Sequence, residues 1–166
     1  MSDIAFAEVA TVLAAARPAI AGGFGGAAPS GFVLAPDTRS DWRAAPIEPS
    51  WIRAGTPEAA YIPLAGGADG WSTVTLWSCT EGSFSWQFVW EETVHILEGE
   101  VDVVLPSGET HKLVEGSVAF FPAHSTAVWT VVRPVRKLAI CRRAVPGKLA
   151  RLIKAVSHAR KMLGFA

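Results

Sequence analysis

Between about residues 59 and 143 the chain is cut into short β-rich runs by turn residues at close, regular spacing, and this punctuation limits the fold more than any other feature. A helix needs a longer uninterrupted stretch, and a parallel α/β sheet needs helices between its strands. Strands are predicted at 61–64, 71–79, 84–89, 92–97, 100–105, 110–114, 117–121, 126–132 and 135–142. Turns are predicted at Ala65-Gly66-Gly67, Glu81-Gly82, Glu98-Gly99, Pro106-Ser107-Gly108, Glu115-Gly116, Pro122-Ala123 and Arg133-Pro134. Each turn carries Gly or Pro, the residues that supply positive φ or a fixed φ. An all-β fold, an antiparallel sandwich or barrel, is the architecture such spacing supports.

The flanks have a different texture. Residues 3–17 have helical spacing through Phe6, Val9, Ala10, Leu13 and Ala16, with Ser2 or Asp3 as cap and Pro18 as stop. From 18 to 55 the chain is rich in Gly, Pro, Ala and Ser and forms an arm, with Trp42 and Trp51 as anchors. Gly23-Phe24-Gly25 followed by Ala28 matches a dinucleotide fingerprint only by chance, because no strand precedes it. The tail from 147 to 163 returns to helical spacing. Leu149, Leu152, Ile153, Val156 and Leu163 form one stripe, and Lys148, Arg151, Lys154, His158 and Lys161 face away. The division is an arm over 1–55, a β-domain over 56–144 and a basic amphipathic helix over 145–166.

Net charge is zero, yet every one of the 15 acidic residues lies at or before Glu115 and ten of the 15 basic ones lie at or after Arg133. An acidic body opposes nucleic acid and anionic membrane, and the tail has no interleaved aromatics. Docking of the helix stripe on the barrel, within one chain or across a dimer, is the expectation, with a homodimer as the default state. Cys79 and Cys141 stand far apart, which fits free thiols and excludes a zinc knuckle. The start Met-Ser-Asp lacks the polarity of a signal peptide, and the uncharged run from Pro18 is broken by Gly and Pro, so a cytoplasmic protein is expected.

Two segments carry a resemblance. Glu91-Glu92-Thr93-Val94-His95-Ile96-Leu97-Glu98-Gly99-Glu100 and Gly116-Ser117-Val118-Ala119-Phe120-Phe121-Pro122 resemble the two motifs of the cupin superfamily, the RmlC-like jelly rolls. With Trp77-Ser78-Cys79-Thr80, Phe84-Ser85-Trp86 and Val135-Arg136-Lys137, the chain is more narrowly similar to the small cupins grouped with the (S)-ureidoglycine aminohydrolase cupin domain. The resemblance spans roughly residues 45–142 and implies a double-stranded β-helix whose cavity binds a small molecule.

It also implies a metal site, from which this sequence departs. Glu92 and Gly99 keep the spacing of the first motif, but the two histidine positions before Glu92 fall on Trp86 and Phe88, or on Ser85 and Gln87. In the second motif Gly116 and Pro122 match, His124 replaces the turn glycine and Ala127 replaces the ligand histidine. One carboxylate cannot hold a divalent metal that needs about three or four converging donors. No metal and no cofactor is therefore expected. His95 follows Glu92 by three and so points to the opposite face of a strand, and His111 lies on another, polar strand.

Strand alternation then furnishes the cavity. Phe84, Trp86, Phe88 and Trp90 share a face, as do Glu92, Val94 and Ile96, and Ala127, Trp129 and Val131. Trp86, Phe88, Glu92, Ala127 and Trp129 are expected to converge, with His124 in a turn beside the mouth. A carboxylate among aromatic rings is costly unless paired or used, and alternation allows only one of Arg136 and Lys137 to reach it from the last strand. Three readings follow. In the first, a metal-free cupin binds a small metabolite between Trp86 and Trp129, with Glu92 and Lys137 fixing its polar groups. The second is an enzyme using Glu92 as general acid or base on a ureide, sugar or amino-acid derivative. The third is a structural dimer module with a filled barrel.

Overall fold

The computed structural model describes residues 42–67, 69–144 and 147–162. The predicted helix at 3–17, the Gly23-Phe24-Gly25 loop and the arm up to residue 41 lie outside them. Nine strands are described: β1 (Arg43–Ala44), β2 (Ile52–Ala54), β3 (Ala59–Gly66), β4 (Ser72–Cys79), β5 (Gly82–Phe88), β6 (Glu91–Val104), β7 (Thr110–Val114), β8 (Val118–Phe121) and β9 (Ser125–Arg142). A helix, α1 (Gly147–Met162), follows them.

All pairings are antiparallel, and two long strands organise them. The second half of β9 pairs with β4 and the first half of β6, giving a sheet ordered β1-β3-β4-β9-β6-β8. The first half of β9 pairs with β5 and the second half of β6, giving the facing sheet β2-β5-β9-β6-β7. β6 and β9 thus run through both sheets and close the curled, all-β barrel expected from the sequence.

The two sheets meet at a corner that sequence patterning reads as two turns. Glu98-Gly99 and Arg133-Pro134 are instead a matched irregularity inside continuous strands. Glu98 pairs with Arg136 and Glu100 with Arg133, so Gly99 alone stands opposite Pro134 and Val135. This is a bulge, which bends the ladder without ending it. Gly99 takes φ +89, and a Cβ there would overlap the Pro134 carbonyl, so the position admits only glycine. Pro134 needs no ladder partner at the point where none is offered. Gly and Pro punctuate turns and bulges alike, which is why local sequence does not separate the two.

The bulge also shifts the inward phase of β6 by one residue. Glu92, Val94 and Ile96 are buried before it, and Val101 and Val103 after it. In β9 the odd positions stay inward on both sides, from Ala127, Trp129 and Val131 to Val135, Lys137, Ala139 and Cys141, while Arg133 at the corner is exposed. Val94, Ile96, Val101, Val103, Ala127, Trp129, Val131 and Val135, with Trp77, Phe84, Phe88 and Phe121, form one core. Part of the predicted arm joins it: β1 and β2 edge the two sheets, Ala45 and Ile47 are buried, and Trp51 packs edge-on to Trp86 at 5.9 Å. Trp42 is half-buried.

The charge asymmetry finds an internal explanation in the β6–β9 ladder. Glu91 meets Arg142 at 2.9 Å, Glu92 meets Lys137 at 2.7 Å, Glu100 meets Arg133 at 3.2 Å, and Glu98 pairs with Arg136. The acidic strand and the basic strand are neighbours, so part of the opposed charge cancels along this ladder, one pair inside the barrel and three on its outer side. Among the described residues the helix takes no share in it. Leu152, Ile153 and Val156 are 60, 50 and 52% exposed, so the predicted docking of this stripe on the barrel of the same chain is not what the fold shows. Leu149 and Leu163 lie outside the described side chains. Among the described residues no helix is long and apolar enough to cross a membrane.

Candidate functional site

The inward face of β9 carries Lys137, whose register partners are Trp77 on β4 and Ile96 on β6. Inward on β6, Glu92 is register partner to Cys141 of β9 and to Phe121 of β8. Lysine has the reach to bridge the distance, and its Nζ donates to Glu92 Oε1 at 2.7 Å. Lys137 is 3% exposed and Glu92 8%. Arg136 points outward to Glu98, which resolves the choice that alternation left open.

A buried pair offsets its desolvation only with good geometry and further stabilisation. Here the further stabilisation is aromatic. Lys137 Nζ lies 4.4 Å from the ring centre of Trp129 and 4.8 Å from that of Trp77, within cation–π range of both. The two indoles stand 6.3 Å apart and nearly perpendicular, so the ammonium sits in the angle between them. Among the described residues, neither Trp77 Nε1 nor Trp129 Nε1 has a hydrogen-bond partner, although both are buried; the same holds for Thr75 Oγ1 on the inward face of β4. Native proteins rarely leave buried donors open without a reason.

The other predicted site residues divide into two groups. Trp86 is half-buried and packs edge-on to Trp77, Phe84 and Trp51, one ring removed from the ion pair. Ala127, where a cupin histidine would stand, is buried opposite Trp86. Phe88 stacks on Phe121 at 4.2 Å, and Phe121 touches the Trp129 ring at 5.7 Å. Of these rings Trp129 lies against Lys137, while Trp86 reaches it through Trp77 and Phe88 through Phe121. His124 stands apart: it is exposed in the β8–β9 turn with φ +64, and its N–H donates to the Phe88 carbonyl. His95 is exposed on the outer face, and His111 pairs with Glu109 on β7.

Sequence reasoning passed over Trp77 as a site residue. Its signal was present, since Thr73, Thr75, Trp77 and Cys79 alternate along one strand and all four are buried. Cys79 and Cys141 belong to the same interior. Burial pushes both thiols up to about 12; the Lys137 charge works against this in each case, and the Glu92 charge adds to it for Cys141. They are therefore protonated, inert thiols at neutral pH.

The donor set does not fit a cupin metal. Glu92, at the one ligand position that the motif spacing implies is kept, accepts a hydrogen bond from the Lys137 ammonium at Oε1. Trp86, Phe88 and Ala127 offer no donor, Ser85 and Gln87 lie on the other face of β5, and no group of three His, Cys, Asp or Glu capable of holding an ion occurs among the described residues. On the far side of Phe121 a groove of about 750 Å³ lies between β7 and β8. Val103, Leu113 and Phe121 line it on the apolar side, and Thr110, Lys112 and Ser125 on the polar side.

The EutQ-like cupin domain family matches the chain over residues 66–139, a span that includes Glu92 and Lys137. Solved structures similar to the chain include the following three. The first is a protein of the DUF861 family from Pseudomonas syringae pv. tomato, with 20% identity over 62% of this chain and 45% of that one and a TM-score of 0.57. The second is the polyketide cyclase RemF from Streptomyces resistomycificus, with 21% identity over 68% and 82% and a TM-score of 0.50. The third is a putative ethanolamine utilization protein EutQ from Salmonella typhimurium, with 22% identity over 69% and 100% and a TM-score of 0.49. No curated protein matches the chain. The narrower expectation of a ureidoglycine aminohydrolase-type cupin finds no support, since the family that matches is the EutQ-like one.

Proposed function

Because the chain belongs to the cupin superfamily yet fills the metal-ligand positions with other side chains, we propose that it binds a small metabolite at the Glu92–Lys137 pair without a metal ion. The observation that carries this reading is the open hydrogen-bonding capacity around that pair. A merely structural ion pair would be expected to satisfy its surroundings, whereas two buried indole N–H groups beside it remain unpartnered. The positive charge next to the cupin glutamate is an ammonium here. It is held by the fold and does not depend on loading.

An enzymatic version of the same site uses Glu92 as general acid or base, with Lys137 steadying the charge that develops on the metabolite. It is favoured by one detail: the Glu92 side chain keeps 11% exposure against 4% for Lys137, so its carboxylate is the member of the pair that solvent or substrate meets first. The test of both versions is a thermal-shift screen of a metabolite library against the wild-type protein and Glu92→Gln. Hits that stabilise the former and not the latter support the site; hits indifferent to the substitution refute it.

A homodimer is part of the proposal. On the outer face, Phe120, Thr93, Ile140 and Val74 form a row across β8, β6, β9 and β4, and Phe120, Val118 and Ile140 are 59, 67 and 43% exposed. An apolar row of this kind suits a second copy of the chain. Light scattering at micromolar concentration should give twice the chain mass, and a monomer would contradict it.

A further inference from the structure

Inside the barrel two indole donors stay unmet while the facing charges balance. Lys137 carries three N–H donors and gives one to Glu92. Trp77 Nε1 and Trp129 Nε1, on the rings between which that ammonium sits, can only donate, and neither finds an acceptor among the described residues. Glu92 keeps further lone pairs and Thr75 Oγ1 is open as well, but neither meets the two indole N–H groups, so an acceptor for these has to come from outside. The formal charge of the site is nevertheless zero, since one ammonium faces one carboxylate and both are nearly out of solvent.

These two facts select a ligand. A second carboxylate would satisfy the donors but leave a net negative charge among Trp77, Phe84, Phe88, Phe121 and Trp129, which is the arrangement a low-dielectric interior opposes most. A ligand ammonium would meet Lys137 as a like charge and would leave both indole donors open. A neutral carbonyl oxygen does neither: it offers two lone pairs to donors that have none, and adds no charge. The aromatic surroundings favour a flat, conjugated body behind that oxygen.

Building on the metal-free binding reading above, we infer that the barrel takes an uncharged, planar carbonyl compound, a ketone or amide, whose oxygen accepts from Lys137 Nζ and from the indole N–H of Trp77 or Trp129. The ammonium then polarises the carbonyl as a positive charge fixed by the fold. Specificity rests on donors fixed by the fold, and a charged analogue of the same shape is discriminated against by the pair's neutrality.

The test compares four probes of nearly one shape: acetophenone and benzamide, which are neutral carbonyls, benzoate, and benzylamine. Each is titrated into the ¹⁵N-labelled wild-type chain at pH 7 while the assigned indole N–H cross-peaks of Trp77 and Trp129 are followed. Both neutral probes should shift at least one of these two peaks in a saturable manner, with benzoate at least about tenfold weaker and benzylamine without effect on either. Benzoate binding as tightly as benzamide, or benzylamine shifting the peaks, would overturn the carbonyl assignment while leaving a ligand site in the barrel. If no probe moves either peak, the carbonyl assignment and the binding reading beneath it both fall.

Discussion

Lys137 and Glu92 are 45 positions apart in the chain, yet their charged ends meet at 2.7 Å inside a barrel whose other inward residues are almost all apolar. The pair exists because β9 and β6 lie side by side in a fixed register, and its surroundings determine what its loss would do.

Lys137→Met leaves an unpaired carboxylate in the core and should lower stability by about 3–5 kcal/mol in urea denaturation. Glu92→Met with Lys137→Met removes both charges and should recover most of that loss, because an apolar replacement of a buried pair is often neutral. The double variant should also lose ligand binding. A double variant as unstable as the single one would mean that packing, not charge, governs the site.

Gly99→Ala should cost about 3 kcal/mol or more, since the added methyl meets the Pro134 carbonyl at positive φ. Gly108→Ala is the control: it has positive φ at +87 but open space around it, so it should cost only about 1 kcal/mol. Equal midpoints for the two would remove the close approach as the reason for glycine at the corner.

Cys79 and Cys141 titrate near 12 in the folded protein against an ordinary 9.0. A raised folded pKa means that the folded state holds the thiol protons more tightly. The resulting stability is complete below about pH 9 and is lost as pH rises from there through 12. Denaturation midpoints should fall over that window, and less steeply in Cys79→Ala/Cys141→Ala. At pH 8 the native thiols should react with Ellman's reagent about a hundredfold more slowly than in urea.

Removal of residues 145–166 should change barrel stability by less than about 0.5 kcal/mol, as expected for exposed structure, because Leu152, Ile153 and Val156 of α1 are not buried against the barrel. A larger loss that depends on protein concentration would show that the helix acts across two copies.

Protein purified without chelator should contain well below one tightly bound transition metal per chain by plasma mass spectrometry. Stoichiometric metal that disappears in Glu92→Gln would reverse the reading of the donor set.

Much of this was open to a reader of the residues. Alternation placed Glu92, Ala127 and Trp129 inward, and left Lys137 and Arg136 as rivals for the carboxylate. The fold decides between them because the odd phase of β9 holds through the corner. Gly99 and Pro134 misled because the same backbone liberties serve turns and bulges, and only the facing strand tells them apart. Trp77 was missed for a related reason. Its partnership with Lys137 is a matter of register between β4 and β9, which no local pattern encodes. The opposed charges of the chain halves invited an explanation at the helix. Their partners are neighbouring strands, and strand order is not written in composition.

The 18-residue strand β9 is the last strand described, and β4, β5 and β6 all pair with it. Ser72 waits for Arg142, and Gly82 for Val131. On a translating ribosome, the earlier strands emerge with their central partner still unmade, so the facing sheet cannot be completed until Arg133, nor the other until Arg142, has cleared the exit tunnel. During that interval the aromatic residues of β5 should stay exposed, and truncated products ending before residue 125 should be degraded quickly.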